Sequence, residues 1–288
     1  MSAAPTTTGK IMKLKEFFYL LGLRPGPRTY GHEVRDFDLP AEGRVRYAQW
    51  LHPRETAKQM RQEDVDALRT FLRPGDVAID IGAHTGDTTI PMALAVGPTG
   101  CVIALEPNHY VYPVLERNAA LNPEKTRIIP LRIAATPTDG VVRFEYSDAG
   151  FCNGGRHEGV NKWMHGHAFE LEVEGRNLEA LLRRDYAELI PRIRLIKVDA
   201  EGYDHQVLLS LAGLIREVRP FLKAEVFRRT SAAQRATFLA FLHELGYQVH
   251  RAEGEALPAN APLGEGDLLR WPHFDIFAVP QAAPQGAH

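Results

Sequence analysis

Four charged residues near the ends of two apolar runs are the clearest candidates for chemistry. RIRLIKVDAEG (192–202) sets Lys197 and Asp199 two apart, hence on one face of a strand, with Glu201 at its end. RPFLKAEVF (219–227) ends near Glu225. A carboxylate so placed can remove the proton that keeps a hydroxyl from acting as a nucleophile, and a neighbouring lysine favours its ionised form. The same carboxylate could instead fix a turn by accepting backbone N–H groups. Asp199 is the first choice of base, Glu201 and Glu225 are the others, and Lys197 is their partner. His84 has a pKa suited to base chemistry, or it caps the helix that follows it.

A second set of residues suits a nucleoside. The segment AIDIGAHTG (78–86) is a strand that runs into Gly82 and Gly86, and glycines let backbone approach a ligand closely. A dinucleotide fingerprint would need G-x-G-x-x-G, and the third glycine with its tight pyrophosphate turn is missing. That favours a nucleoside without phosphate, such as S-adenosylmethionine, over a nucleotide-linked oxidoreductase. Glu106 ends the next apolar run, CVIALE, where a carboxylate can accept two hydrogen bonds from a ribose diol. Asp80 would lie near the cationic end of the donor.

These residues need a frame that brings strand ends together. From residue 76 apolar strands alternate with helical stretches. DVAIDIG, CVIALE, RIIPLRIAA, RIRLIKVDAEG and RPFLKAEVF read as strands, and TTIPMALAV, YPVLERNAAL and DHQVLLSLAGL as helices. That alternation predicts βαβ units and a parallel sheet covered on both faces. VVRFEYS and FELEVEG read as added strands. Asn177 would cap LEALLRR, and Ser231 with Gln234 forms a capping box for a helix to about Leu245. GYQVHRA and HFDIFAVP, linked only by a loop, should form an antiparallel pair. Residues 1–75 are expected to be a helical N-terminal extension, its clearest helix near Glu55–Leu72 and ended by Arg73-Pro74-Gly75. It would serve as a lid or a homodimer contact. Residues 281–288 read as a frayed tail.

AIDIGAHTG, ALEPN, LIKVDAEGYDHQVL and RPFLKAEVF together resemble the FkbM family of S-adenosylmethionine-dependent methyltransferases over residues 65–280. The resemblance implies an α/β, class I methyltransferase fold: a Rossmann-like seven-stranded sheet, its last strand antiparallel, flanked by helices, over residues 76–280. It implies O-methylation of a hydroxyl on a sugar, a polyketide or a related metabolite. It implies that Asp80, Gly82, Ala83, His84 and Gly86, with Thr85 between them, line the donor. Glu106, with Pro107 after it, would hold the ribose, and Ala134 would approach the adenine. The acceptor class is less determined, and a non-sugar O or N acceptor is the alternative.

Residues 147–175 read as a substrate-loop insertion. Its first part, 147–168, is rich in Gly, His and Asn and has no period, which in a compact domain marks a functional or a disordered segment. Asn153, His157, Trp163 and His165 are candidate acceptor contacts, Trp163 by stacking on a sugar face. His165 and His167 could offer a metal two ligands, but no third is set by spacing, so no metal site is expected. The formal charge of −2 offers no broad basic surface for nucleic acid. The two cysteines, Cys101 and Cys152, make no disulfide framework and suit a cytoplasmic protein. FFYLLGL (17–23) is too short to span a bilayer.

Overall fold

The computed structural model describes residues 26–146, 150, 154–155 and 169–281. Its centre is a seven-stranded sheet. β3 (Val77–Ile81) and β4 (Cys101–Leu105) are buried along their whole length, as expected of strands covered on both faces. β5 (Ile128–Leu131) lies at one edge, where Pro130 removes no ladder hydrogen bond that the sheet needs. Beyond β3 come β10 (Ile193–Val198) and β11 (Phe221–Val226), parallel to it. β13 (Phe274–Pro280) runs antiparallel to both its neighbours, β11 and β12 (Tyr247–Arg251), which completes the order β12-β13-β11-β10-β3-β4-β5.

Helices cover both faces. α1 is Gln62–Arg69, α2 Thr89–Val96, α3 Tyr112–Ala120 and α4 Leu178–Asp185. α5 is Asp204–Ser210, α6 Ala212–Val218 and α7 Ala232–Glu244. Asn177 caps α4 by accepting from Ala180 N–H at 2.9 Å, and Ser231 and Gln234 form the expected capping box on α7. The stretch read as one helix over 204–214 is two. Leu211 is fully buried between them, and the Glu179 side chain accepts the Leu214 N–H at 3.1 Å, which gives α6 a start of its own.

Three expectations need correction. The N-terminal region is not simply helical: β1 (His32–Leu39) and β2 (Gly43–Trp50) form an antiparallel hairpin. Its signal was the alternation of Val45 and Tyr47, both fully buried, with Arg44 and Arg46. The helix near 55–72 begins only at Gln62, because Gln49 ties down the segment before it, bonding Thr56 C=O and Lys58 N–H. The third strand divides. After β5 the chain leaves the main sheet, and β6 (Ala134–Ala135) joins β7 (Gly140–Tyr146), β8 (Gly154–Gly155) and β9 (Phe169–Arg176) in a separate sheet. No helix of the described residues is long and apolar enough to cross a membrane.

Candidate active site

The carboxyl ends of β3, β4 and β10 meet at one place, where an open parallel sheet binds ligands. Gly82 and Ala83 N–H both bond Leu105 C=O, and Asp199 N–H bonds Ile81 C=O at 2.9 Å. The backbones close up so tightly that a Cβ on Gly82, at φ 80°, would lie 2.1 Å from the Asp199 carbonyl oxygen. Only glycine fits there. His84 and Glu201 also hold positive φ, 49° and 51°, a strained state for non-glycine residues that gathers at functional sites.

Glu106 is nearly buried. One carboxylate oxygen accepts His84 N–H at 2.9 Å, and the other accepts Asn108 N–H at 2.8 Å. Burial pushes its pKa up to about 7, against the pull of those two amides, and the charges of Asp80 and Asp199 add to the rise. Each oxygen keeps a lone pair for a further donor. Around it opens a cleft of about 620 Å³. One wall is apolar, with Ile133, Ala134, Phe144, Tyr146 and Val207, and suits a purine ring. Across from Glu106 the cleft is lined by Asp199, Ala200 and Glu201.

The hairpin holds the loop that follows β3. Tyr47 Oη and Thr85 Oγ1 are 2.6 Å apart, and both groups are buried. Asn118 of α3 takes Ala48 N–H at 2.6 Å and donates to Thr85 C=O at 2.7 Å. The Trp50 ring meets His84 edge-on at 5.7 Å. Tyr47, Trp50 and Asn118 were not identified from sequence. The alternation in β2 and a polar residue facing inward from α3 were the available signals.

The anticipated site residues divide accordingly. Gly82, Glu106, Pro107, Ala134, Asp199 and Glu201 line the cleft. Ala83, His84, Thr85 and Gly86 build the loop behind it, with Gly86 N–H closing the turn on Ala83 C=O at 2.8 Å. Asp80 is not among the residues that line the cleft. It is wholly buried, accepts from Thr88 and Thr89 hydroxyls at 2.9 and 2.7 Å, and faces Lys197 Nζ at 3.1 Å. Lys197 reaches Asp199 as well, at 3.8 Å. Burial opposes its charge, yet Asp80 and Asp199 outweigh burial and hold its pKa above the usual lysine range.

Glu225 lies outside the cleft. It lines a smaller cavity with Gly202, Asp204 and Gln206. One of its oxygens is 3.3 Å from His273 Nε2, and the other is buried without a hydrogen bond. Burial and the nearby Asp199, Asp204 and Glu201 push its pKa up to about 8. Glu201 is raised too, first by burial and then by Asp199, while Arg228 and His273 oppose the rise. Asn153, His157, Trp163, His165 and His167 lie outside the described residues, and no metal-ligating group of three or more occurs among the residues described.

A family model described as the methyltransferase FkbM domain matches residues 80–249, more than half of the chain. No curated protein matches. Among solved structures, an FkbM methyltransferase from Methylobacillus flagellatus is 16% identical, covering 75% of this chain and 51% of its own, with a TM-score of 0.41. This chain thus spans about half the length of that relative. A SAM-dependent O-methyltransferase from Thermotoga maritima is 13% identical, covering 88% of this chain and 79% of its own, with a TM-score of 0.43.

Proposed function

The chain belongs to the FkbM family of S-adenosylmethionine-dependent methyltransferases, and from that premise we propose that it methylates a hydroxyl of a sugar, or of a glycosylated or polyketide metabolite. One observation carries this reading: a single cleft joins an apolar, purine-sized wall and Glu106 to the acids Asp199 and Glu201. When bound, the donor supplies a methyl group on a sulfonium. Glu106 accepts from the ribose diol, and Ala134 with its neighbours covers the adenine. Asp199 takes the proton of the acceptor hydroxyl, and Lys197, 3.8 Å away, orients it. Glu201 contacts the acceptor or stands in as base. Holding acceptor and methyl in line can itself lower the barrier by roughly 7–11 kcal/mol. Acceptor contacts from Asn153, His157, Trp163 and His165 belong to the same proposal, as does a cytoplasmic setting with a small-molecule or glycan acceptor.

The test is transfer of labelled methyl from S-adenosylmethionine to a panel of sugars and glycosylated metabolites. Label should appear in an alkali-stable ether. Asp199→Asn should lower kcat by about 10²–10⁴-fold, with donor affinity little changed. Transfer to nitrogen, or full turnover by Asp199→Asn, would remove this reading of the acceptor or of the base.

A further inference from the structure

Recognition of a ribose takes donors as well as acceptors. A ribose hydroxyl that gives its proton to Glu106 still has an oxygen that accepts. Among the described residues, three hydroxyl side chains line the cleft, those of Thr136, Tyr146 and Tyr203. The Thr136 hydroxyl already donates, to Thr138 C=O at 2.8 Å. Tyr203 belongs to the turn after β10, with Asp199 and Glu201. Tyr146 is tied to Glu106 through Asn108. The Asn108 N–H donates to a Glu106 oxygen at 2.8 Å, and its side chain hydrogen-bonds the Tyr146 hydroxyl. Both Asn108 and Tyr146 are buried. Strand alternation brings Tyr146 there from the smaller sheet. Val142, Phe144 and Tyr146 share one face of β7, packed with Ala134 and Leu171, and Phe144 and Tyr146 reach the cleft.

We propose that Tyr146 completes the ribose site of the donor, its hydroxyl donating to a ribose oxygen whose own proton goes to Glu106. The inference rests on the reading that the cleft holds the nucleoside of S-adenosylmethionine. The phenol keeps its proton, because burial pushes its pKa above the ordinary tyrosine range and the charge of Glu106 adds to the rise. Asn108 opposes that rise, the effect of an amide that donates to the phenol oxygen. The Asn108 side-chain carbonyl is occupied in turn, accepting Tyr110 N–H at 2.9 Å. With Asn108 giving to the Tyr146 oxygen, the hydroxyl proton is directed to another acceptor. One asparagine thus sets the spacing of a carboxylate that accepts and a hydroxyl that donates. A ribose hydroxyl, which does both, is the ligand group that matches the pair.

Calorimetry with two ligands tests this. One is S-adenosylhomocysteine; the other is its 2′,3′-dideoxy analogue, which keeps the adenine, the sulfur and the amino acid. Tyr146→Phe should weaken S-adenosylhomocysteine binding by about fivefold and leave the dideoxy analogue unchanged. A loss shared equally by both ligands would mean a merely structural tyrosine or a contact to the adenine. No loss would mean a hydroxyl satisfied within the protein. Either result overturns the inference. If Tyr146→Phe does not fold, a crystal structure of the wild type with S-adenosylhomocysteine decides. Tyr146 Oη should lie about 2.8 Å from a ribose oxygen, and a separation beyond hydrogen-bond reach overturns the inference. Wild-type protein that binds neither ligand would instead refute the donor reading beneath it.

Discussion

Glu106 and Glu225 both stand at strand ends of one sheet, and their surroundings differ. Glu106 has each oxygen on a backbone amide, placed by the turns after β3 and β4. Glu225 has one oxygen near His273, the other without a hydrogen bond, and four acids, Asp199, Asp204, Glu201 and Asp275, close enough to raise its pKa. The β3–β4 side is thus organised by backbone, and backbone amides suit the recognition of a fixed ligand. The β10–β11 side is organised by competing charges. Crowded carboxylates with raised pKa values are groups that can hold or release a proton near neutrality.

Gly82 is where the two sides touch, and changing it should have the largest effect. Gly82→Ala would drive a Cβ into the Asp199 carbonyl at an unfavourable φ. It should cost at least about 3 kcal/mol in denaturant unfolding and abolish binding of S-adenosylhomocysteine. Full stability would mean that the two strand ends are not packed as described. Glu106→Gln alters the β3–β4 side alone. Its amide cannot accept from the ribose at both atoms, so S-adenosylhomocysteine should bind about 10–100-fold more weakly, read by calorimetry.

The β10–β11 side should reveal itself in pH dependence. Glu225 has a folded pKa of about 8, above the 4.5 of an ordinary glutamate. The folded state therefore holds this proton more tightly than the unfolded chain does. The resulting stability is complete below about pH 4.5 and is lost as pH rises through 8. Asp204, raised to about 7 chiefly by burial, adds a slope in the same direction from pH 3.8 upward. Glu225→Gln should flatten the decline in melting temperature between about pH 5 and 8 relative to wild type. An identical slope would show that Glu225 is not the group responsible. The smallest effect belongs to the hairpin's hold on the loop after β3. Tyr47→Phe should lose the bond to Thr85 at a cost of about 1 kcal/mol, measured by unfolding.

The same contrast explains what could be read in advance. Helix and strand alternation after residue 76, the glycines at 82 and 86, and Glu106 were legible, because their residue types are required by backbone geometry. The antiparallel pairing of β12 with β13 followed from the loop, without a helix, that connects them. The partners of Asp80, namely Thr88, Thr89 and Lys197, were not legible, because they reach it only after folding. Glu225 was grouped with Asp199 since both end strands, yet Gly202 and Asp204 place it on another cavity. The hairpin was hidden by short strands with many charges, and Tyr47 and Asn118 take on meaning only when β2 and α3 pack together.

A crystal structure with S-adenosylhomocysteine tests the central claim most directly. The account predicts the ribose hydroxyls on the Glu106 carboxylate, the adenine against Ile133–Ala135 and Phe144, and the sulfur turned toward Asp199. A nucleoside bound outside this cleft, or bound in it with Glu106 still engaged only by the amides of His84 and Asn108, would contradict it.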